Sequence, residues 1–213
     1  MSYIMYNIYD KINMTLQAQI FERIENNNLT AFSCYDFLDL SSYSSINKVL
    51  ERLEDKNILK RVIRGIYYYP RYNEVLKAYN EISIADTAIA LSREFGWKII
   101  PSGISALNLL GLSTQVPSTY SYISSGPYKT YDIDGNKLIF KHTNKTNLFN
   151  YSYITSLLII ALDEKGEKKI TSKDISHLKK IISNKNKKLI IKETTQLHGW
   201  KKDIINKICS EIN

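Results

Sequence analysis

The chain has 213 residues, 44 % of them hydrophobic, and a formal charge of +8. That length and apolar share suffice for a real core and exclude disorder as the default, while the charge favours an anionic partner and says nothing of the fold. No run of about 18 apolar residues is present to span a bilayer, Met1-Ser2-Tyr3 lacks the basic-then-apolar order of a signal peptide, and Cys34 and Cys209 stand far apart outside any CxxC pair; a reduced cytoplasmic setting is expected.

At the N-terminal end, Ile12, Leu16, Ile20 and Ile24 recur at four-residue spacing, which predicts a helix with one buried face. Asn26-Asn27-Asn28 breaks it. Ser33 is placed to cap a second, short helix, with Asp36 at the capping-box position. The serines at 41–42 offer the next cap, and Ile46, Val49, Leu50 and Leu53 make the narrow apolar stripe of a third helix, with Asn57 as its left-handed stop. Two β-rich runs follow, Ile58 to Val62 and Ile66 to Tyr69, joined through Ile63-Arg64-Gly65. Helix, helix, helix, hairpin is the order of a winged helix-turn-helix. Pro70 and Arg71-Tyr72-Asn73 then mark a boundary, so the expected domains are 1–72 and 73–213.

The remainder reads as α+β. Ile84, Ala88, Leu91 and Phe95 predict a helix from about Ser83 to Phe95, and Trp97 to Ile100 a buried strand. Ser102 is expected to cap a short helix closed by Gly111. Thr119 to Ser124 and Lys137 to Lys141 are strand-like, separated by the turn composition Asp134-Gly135-Asn136. Helical patterning resumes at Ile154 to Leu162, Ser172 or Asp174 to Ile182, and Trp200 to Ile212, with Asn184-Lys185-Asn186 read as a loop. The fold class is thus α+β: an N-terminal winged helix-turn-helix, then a mixed domain with a small sheet and C-terminal helices.

The chemistry concentrates in the third helix and the hairpin. A recognition helix presents its N-terminal half to base edges, and here that half carries Ser44, Ser45, Asn47 and Lys48. Asn47 suits a bidentate adenine contact, and Lys48 a guanine or a phosphate. Arg52, Lys56, Lys60, Arg61 and Arg64 suit phosphates, with Arg64 at the wing tip placed for the minor groove. A solvated helix face with i,i+4 pairs explains Glu51, Arg52, Glu54, Asp55 and Lys56 equally well, but not the basic hairpin attached to it. Tyr67-Tyr68-Tyr69 alternates between hairpin faces and fits core packing better than base stacking.

Arg52-Leu53, Ile58, Arg61, Arg64-Gly65-Ile66-Tyr67 and Pro70, followed by Pro101-Ser102-Gly103, Ala106-Leu107-Asn108 and Leu110-Gly111-Leu112-Ser113-Thr114-Gln115-Val116-Pro117, resemble the AbiEi family, in that family's order and spacing. These are the antitoxins and transcriptional regulators of AbiE-type, type IV toxin/antitoxin and abortive-infection systems. The resemblance runs from about Thr30 to Lys141. It implies a winged helix that represses its own operon at inverted repeats in double-stranded DNA, and a following domain that counteracts a nucleotidyltransferase-like toxin without a stable complex. Lys48, Arg52, Lys60, Arg61 and Arg64 would then be DNA contacts. The chain departs from the family at Asn57, where such helices usually end in Gly, and beyond about Asn150 no motif matches.

In the second block, Ser102 with Gly103 before a helix offers amides to a phosphate, and Ser113, Thr114 and Gln115 form a polar loop able to touch a partner; capping around one buried helix also explains these letters. Enzymatic patterns are missing: His142, His177 and His198 lie in unrelated settings without HExxH or GxSxG, and no P-loop or GxGxxG occurs. No catalytic, metal or cofactor residues are therefore expected. Two alternatives stand beside the regulator: an interaction module that neutralises an acidic toxin by direct binding, and a metal-dependent nuclease using Asp86, Glu94, Asp132 and Asp134. The lysine-rich stretch from Lys168 to Lys207 is read as solvated helix faces.

Overall fold

The structure is a computed structural model and describes residues 14–143 and 146–210. Thr15 opens the first helix, α1 (Leu16–Asn26), by accepting from the Ala18 amide at 3.3 Å, and Ile20 and Ile24 are fully buried. Ile12, placed on the same face by its spacing, lies outside the described residues. After strand β1 (Ala31–Phe32) comes a 3-10 turn (Cys34–Phe37) closed by the expected capping box: Ser33 Oγ accepts from the Tyr35 amide, and Asp36 Oδ2 accepts from the Ser33 amide at 2.9 Å.

Ser42 caps α2 (Tyr43–Asp55), whose buried residues are the expected Ile46, Val49, Leu50 and Leu53. Asn57 stops it at φ +56°. Strands β2 (Lys60–Ile63) and β3 (Ile66–Tyr68) form the hairpin, turned at Gly65 with φ +83°, and the sheet order is β1-β3-β2. This is a winged helix in which the second helix has shrunk to a single tight turn. Its core gathers Ile20, Ile24, Phe32, Phe37, Leu50 and Leu53, side chains worth about 1.5–3 kcal/mol each when fully buried. Strand β1 escapes sequence reading because two residues carry no period; pairing with Tyr67 and Tyr68 of β3 defines it.

A second small hairpin, β4 (Tyr72–Asn73) with β5 (Ala78–Tyr79), occupies the stretch where a boundary is expected. Helix α3 (Ile84–Glu94) then packs back on β1, β3 and the 3-10 turn. Arg93 fastens it: Nε donates to Asp36 Oδ1 at 2.6 Å and Nη2 to the Ala31 carbonyl at 2.8 Å. Asp36 thus serves its own capping box and an arginine far along the chain. Accordingly the first compact unit runs to Trp97 and the second begins at Lys98, later than the break read from Pro70 and Arg71, because a long-range ion pair leaves no local trace in sequence.

In the second unit, β6 (Ile99–Ser102), β7 (Thr119–Ser124), β8 (Lys129–Ile133) and β9 (Asn136–His142) form one sheet of order β6-β7-β9-β8. Helix α4 (Ile104–Leu109) follows β6. Asp134 at φ +49° and Gly135 at φ +81° make the tight turn, as a two-residue hairpin requires. That turn joins β8 to β9, whereas β7 pairs with β9 in parallel. Strand β8 is missing from the sequence reading because it lies at the sheet edge, mostly exposed, with little apolar alternation.

Helices α5 (Tyr153–Lys165), α6 (Ser172–Ile181), α7 (Asn184–Glu193) and α8 (Trp200–Cys209) complete the unit. Thr155 to Leu162 are buried without interruption, so α5 is apolar all round and is covered by its neighbours. Asn184-Lys185-Asn186 is the first turn of α7, where a loop is expected, because the Ser183 hydroxyl accepts from the Asn186 amide and starts a helix. No helix of the described residues is long and apolar enough to cross a membrane.

The N-terminus of α5 is closed by a carboxylate from α7. Glu193 accepts from the Ser152 amide at 3.0 Å, the Ser152 hydroxyl at 2.8 Å and the Thr155 hydroxyl. Burial pushes the Glu193 carboxyl up, but the hydrogen bonds from Thr155 and Ser152 outweigh it and hold the group below its ordinary value of 4.5. Asp174 is likewise lowered: burial opposes, and Lys165 and Thr171 prevail. A carboxylate whose folded pKa is depressed contributes stability above its unfolded pKa and loses it as the pH falls through the folded value. The melting temperature is therefore expected to fall as the pH drops below about 4.5. Glu193→Gln is expected to cost about 1–3 kcal/mol at pH 7 and to shrink that acid loss, measured by thermal melts from pH 7 down to pH 3.

Candidate nucleic-acid interface

Ser42 sets the direction of α2: its Oγ accepts from the Ser45 amide at 3.3 Å and shares a hydrogen bond with the Ser45 hydroxyl at 2.9 Å. Ser45 is therefore occupied by the cap. Asn47, one turn in from the start of the helix, is half-buried, and its Oδ1 accepts from the Cys34 thiol at 3.7 Å. Burial pushes that thiol up to about 11, so it stays protonated and able to donate. Reading adenine bidentately needs both ends of the amide, and one end of Asn47 is engaged from inside.

The cations divide into free and fastened. Lys48, Lys56, Lys60 and Arg64 are exposed and make no ion pair among the described residues. Arg52 is exposed, and its Nη2 donates to Gln17 Oε1 of α1 at 3.2 Å. Arg61 is held on three sides: it pairs with Glu54 of α2, donates to the Tyr67 hydroxyl at 3.3 Å, and lies 5.3 Å from the centroid of the Tyr67 ring. The sequence reading treats Arg61 like its neighbours. The structure makes it the clamp between wing strand β2 and helix α2, and in doing so it neutralises Glu54.

Lys48 and Arg52 stand at i and i+4 along α2, Lys56 caps its C-terminal end, and Lys60 and Arg64 continue the basic surface onto the wing. Glu51 and Asp55 remain exposed beside that line. Tyr43, 54 % exposed in the first turn of α2, is a residue the sequence reading passes over; its place just after the Ser42 cap is the available signal.

The second block divides between a buried serine pair and an exposed loop. Ser102 is buried at 6 % exposure in β6, its Oγ 2.9 Å from Ser121 Oγ, and Gly103 at φ +62° takes the cap position expected of Ser102. Ser102 closes β6 opposite Ser121 of β7, and that hydroxyl pairing engages the group it would offer to a partner. Ser113 Oγ accepts from the Gln115 amide at 3.1 Å and the Gln115 carbonyl accepts from Asn108 Nδ2 at 2.7 Å, which leaves Thr114 and the Gln115 side chain at the surface of a braced loop.

Two of the four carboxylates of the nuclease alternative, Asp86 and Asp132, are used locally. Asp132 Oδ1 accepts from the Gly135 amide at 3.0 Å in the β8–β9 turn, and Asp86 Oδ2 accepts from the Ser83 hydroxyl at 2.6 Å at the start of α3. Among the described residues no group of three His, Cys, Asp or Glu stands ready to hold a metal ion. His177 Nε2 donates to the Leu110 carbonyl at 3.1 Å. On α7, Lys185, Lys188 and Lys192 are exposed, while Lys165 pairs with Asp174 and Lys201 with Asp163, each at 2.7 Å.

Residues 19–190 match DUF6088, a family of unknown function. No curated protein matches the chain significantly.

Proposed function

The chain belongs to the DUF6088 family, whose function is unknown, and from its own surfaces we propose that it is a DNA-binding repressor of its own operon and the antitoxin of a type IV toxin/antitoxin pair, acting in the cytoplasm against a nucleotidyltransferase-like toxin. The observation that carries the DNA-binding half is the run of exposed cations, Lys48, Lys56, Lys60 and Arg64, unpaired among the described residues, along a capped recognition helix and its wing. Such a surface meets phosphates, and phosphate contacts fix position and affinity while base edges supply the sequence preference. The free end of the Asn47 amide and Lys48 are the candidates for base reading.

The antitoxin half is supported by the likeness of the blocks Arg52 to Pro70 and Pro101 to Pro117 to AbiEi proteins. By that likeness the operator carries inverted repeats, and neutralisation needs no stable complex with the toxin.

A titration by fluorescence anisotropy against the chain's own upstream DNA, with scrambled DNA as control and at two salt concentrations, tests the reading. Specific binding is expected to exceed non-specific binding by about 1,000-fold or more and to weaken steeply with salt. Equal binding to both DNAs, or none, would sink the repressor reading and leave direct blockade of a toxin as the function to examine by co-purification.

A further inference from the structure

The β4–β5 hairpin is built with care and left uncovered. Asn73 Oδ1 accepts from the amides of Val75 and Leu76, both at 3.0 Å, and the Asn80 amide donates to the Arg71 carbonyl at 2.8 Å. Tyr72 and Tyr79 meet edge to face with ring centroids 5.3 Å apart. Lys77 adopts φ +50° to close the loop. At the tip of this ordered element Val75 is 90 % and Leu76 71 % exposed, and Tyr79 below them is 61 % exposed. A two-stranded hairpin gains little stability by itself, and contiguous exposed apolar surface marks a contact.

We propose that this hairpin docks on the same hairpin of a second copy of the chain, tip to tip about a two-fold axis. The sequence of the tip selects that occupant. Glu74, Val75, Leu76 and Lys77 make up the turn itself, and a two-fold axis through it lets Glu74 of each copy meet Lys77 of the other while Val75 and Leu76 meet across the axis. A two-fold contact needs this self-complementarity, since residue i meets j and j meets i. Glu74 and Lys77 are exposed and have no ion partner of their own among the described residues. Behind the tip a groove of about 550 Å³, lined in part by Leu29, Tyr69 and Ile82, continues the apolar surface. The contact is independent of DNA binding, and it presents two winged helices to any site with two-fold symmetry.

Sedimentation velocity of the full chain over about 5–500 μM tests the proposal, since a contact of this small size is expected to have a Kd on the order of 1–100 μM. Val75→Ser with Leu76→Ser is expected to give a monomer throughout that range with an unchanged melting temperature. Glu74→Lys alone, which sets lysine against lysine, is expected to weaken the dimer by about tenfold. Lys77→Glu alone does the same with two acids. Glu74→Lys combined with Lys77→Glu in one chain restores the dimer, and mixing the two single variants gives a mixed dimer. A wild-type chain that is monomeric throughout, a dimer indifferent to the Val75 and Leu76 changes, or a double reversal no tighter than the singles would each overturn the proposal, the first leaving the tip to a different protein.

Discussion

Replacing Lys48, Lys60 and Arg64 together by alanine is expected to weaken binding to the chain's upstream DNA by about 100-fold or more at moderate salt, and to flatten the slope of log affinity against log salt by about three units. The three side chains are exposed and unpaired among the described residues, so their removal leaves no buried partner behind and the melting temperature is expected to stay within about 1–2 °C of wild type. Arg61→Ala is the contrasting variant. Its guanidinium already neutralises Glu54 and covers the Tyr67 ring, and its loss is expected to cost about 1 kcal/mol of stability with less than a full unit of salt slope. Anisotropy titrations at four salt concentrations, with thermal melts of each variant, separate the two effects. A triple variant with an unchanged slope would show that these cations do not meet phosphates.

Gly111→Ala is expected to destabilise the second unit by about 2–4 kcal/mol. Gly111 sits at φ +65° at the end of α4, and a Cβ added there would stand 2.5 Å from His177 Nε2. The ring can swing away only by giving up its hydrogen bond to the Leu110 carbonyl. Strain of the left-handed backbone and loss of that bond therefore add. Gly65→Ala supplies the control: its φ is +83° but nothing lies within 4 Å of the added Cβ, so about 1 kcal/mol is expected. Urea unfolding of both variants, and of Gly111→Ala combined with His177→Ala, measures the terms. The histidine change is expected to relieve part of the Gly111→Ala cost, and a fully additive double variant would remove the steric part of the argument.

Periodicity made much of the fold legible. The stripe Ile46, Val49, Leu50, Leu53 is the buried face of α2, Ser33 with Asp36 closes the capping box, and Asp134-Gly135 makes a tight turn. What escaped were elements too short or too polar to carry a period: β1 with two residues, β8 at a sheet edge, and α7, whose first turn is asparagine and lysine. The candidate binding face was legible as a set of residue types, since an exposed cation needs no partner to be recognised. It was not legible which cations are free.

The order of elements in the winged helix, the basic character of its third predicted helix and wing, and the α+β class were thus determined by the sequence alone, because each depends on spacing within one or two turns of chain. Tertiary structure decided the rest. It fastened Arg61 to Glu54 and Tyr67, engaged Asn47 with Cys34, buried Ser102 against Ser121, and tied α3 to the first unit through Arg93 and Asp36. Each of these is a pairing between groups brought together only by packing, and a side chain's freedom to meet another molecule is set by the partners it has already found in its own.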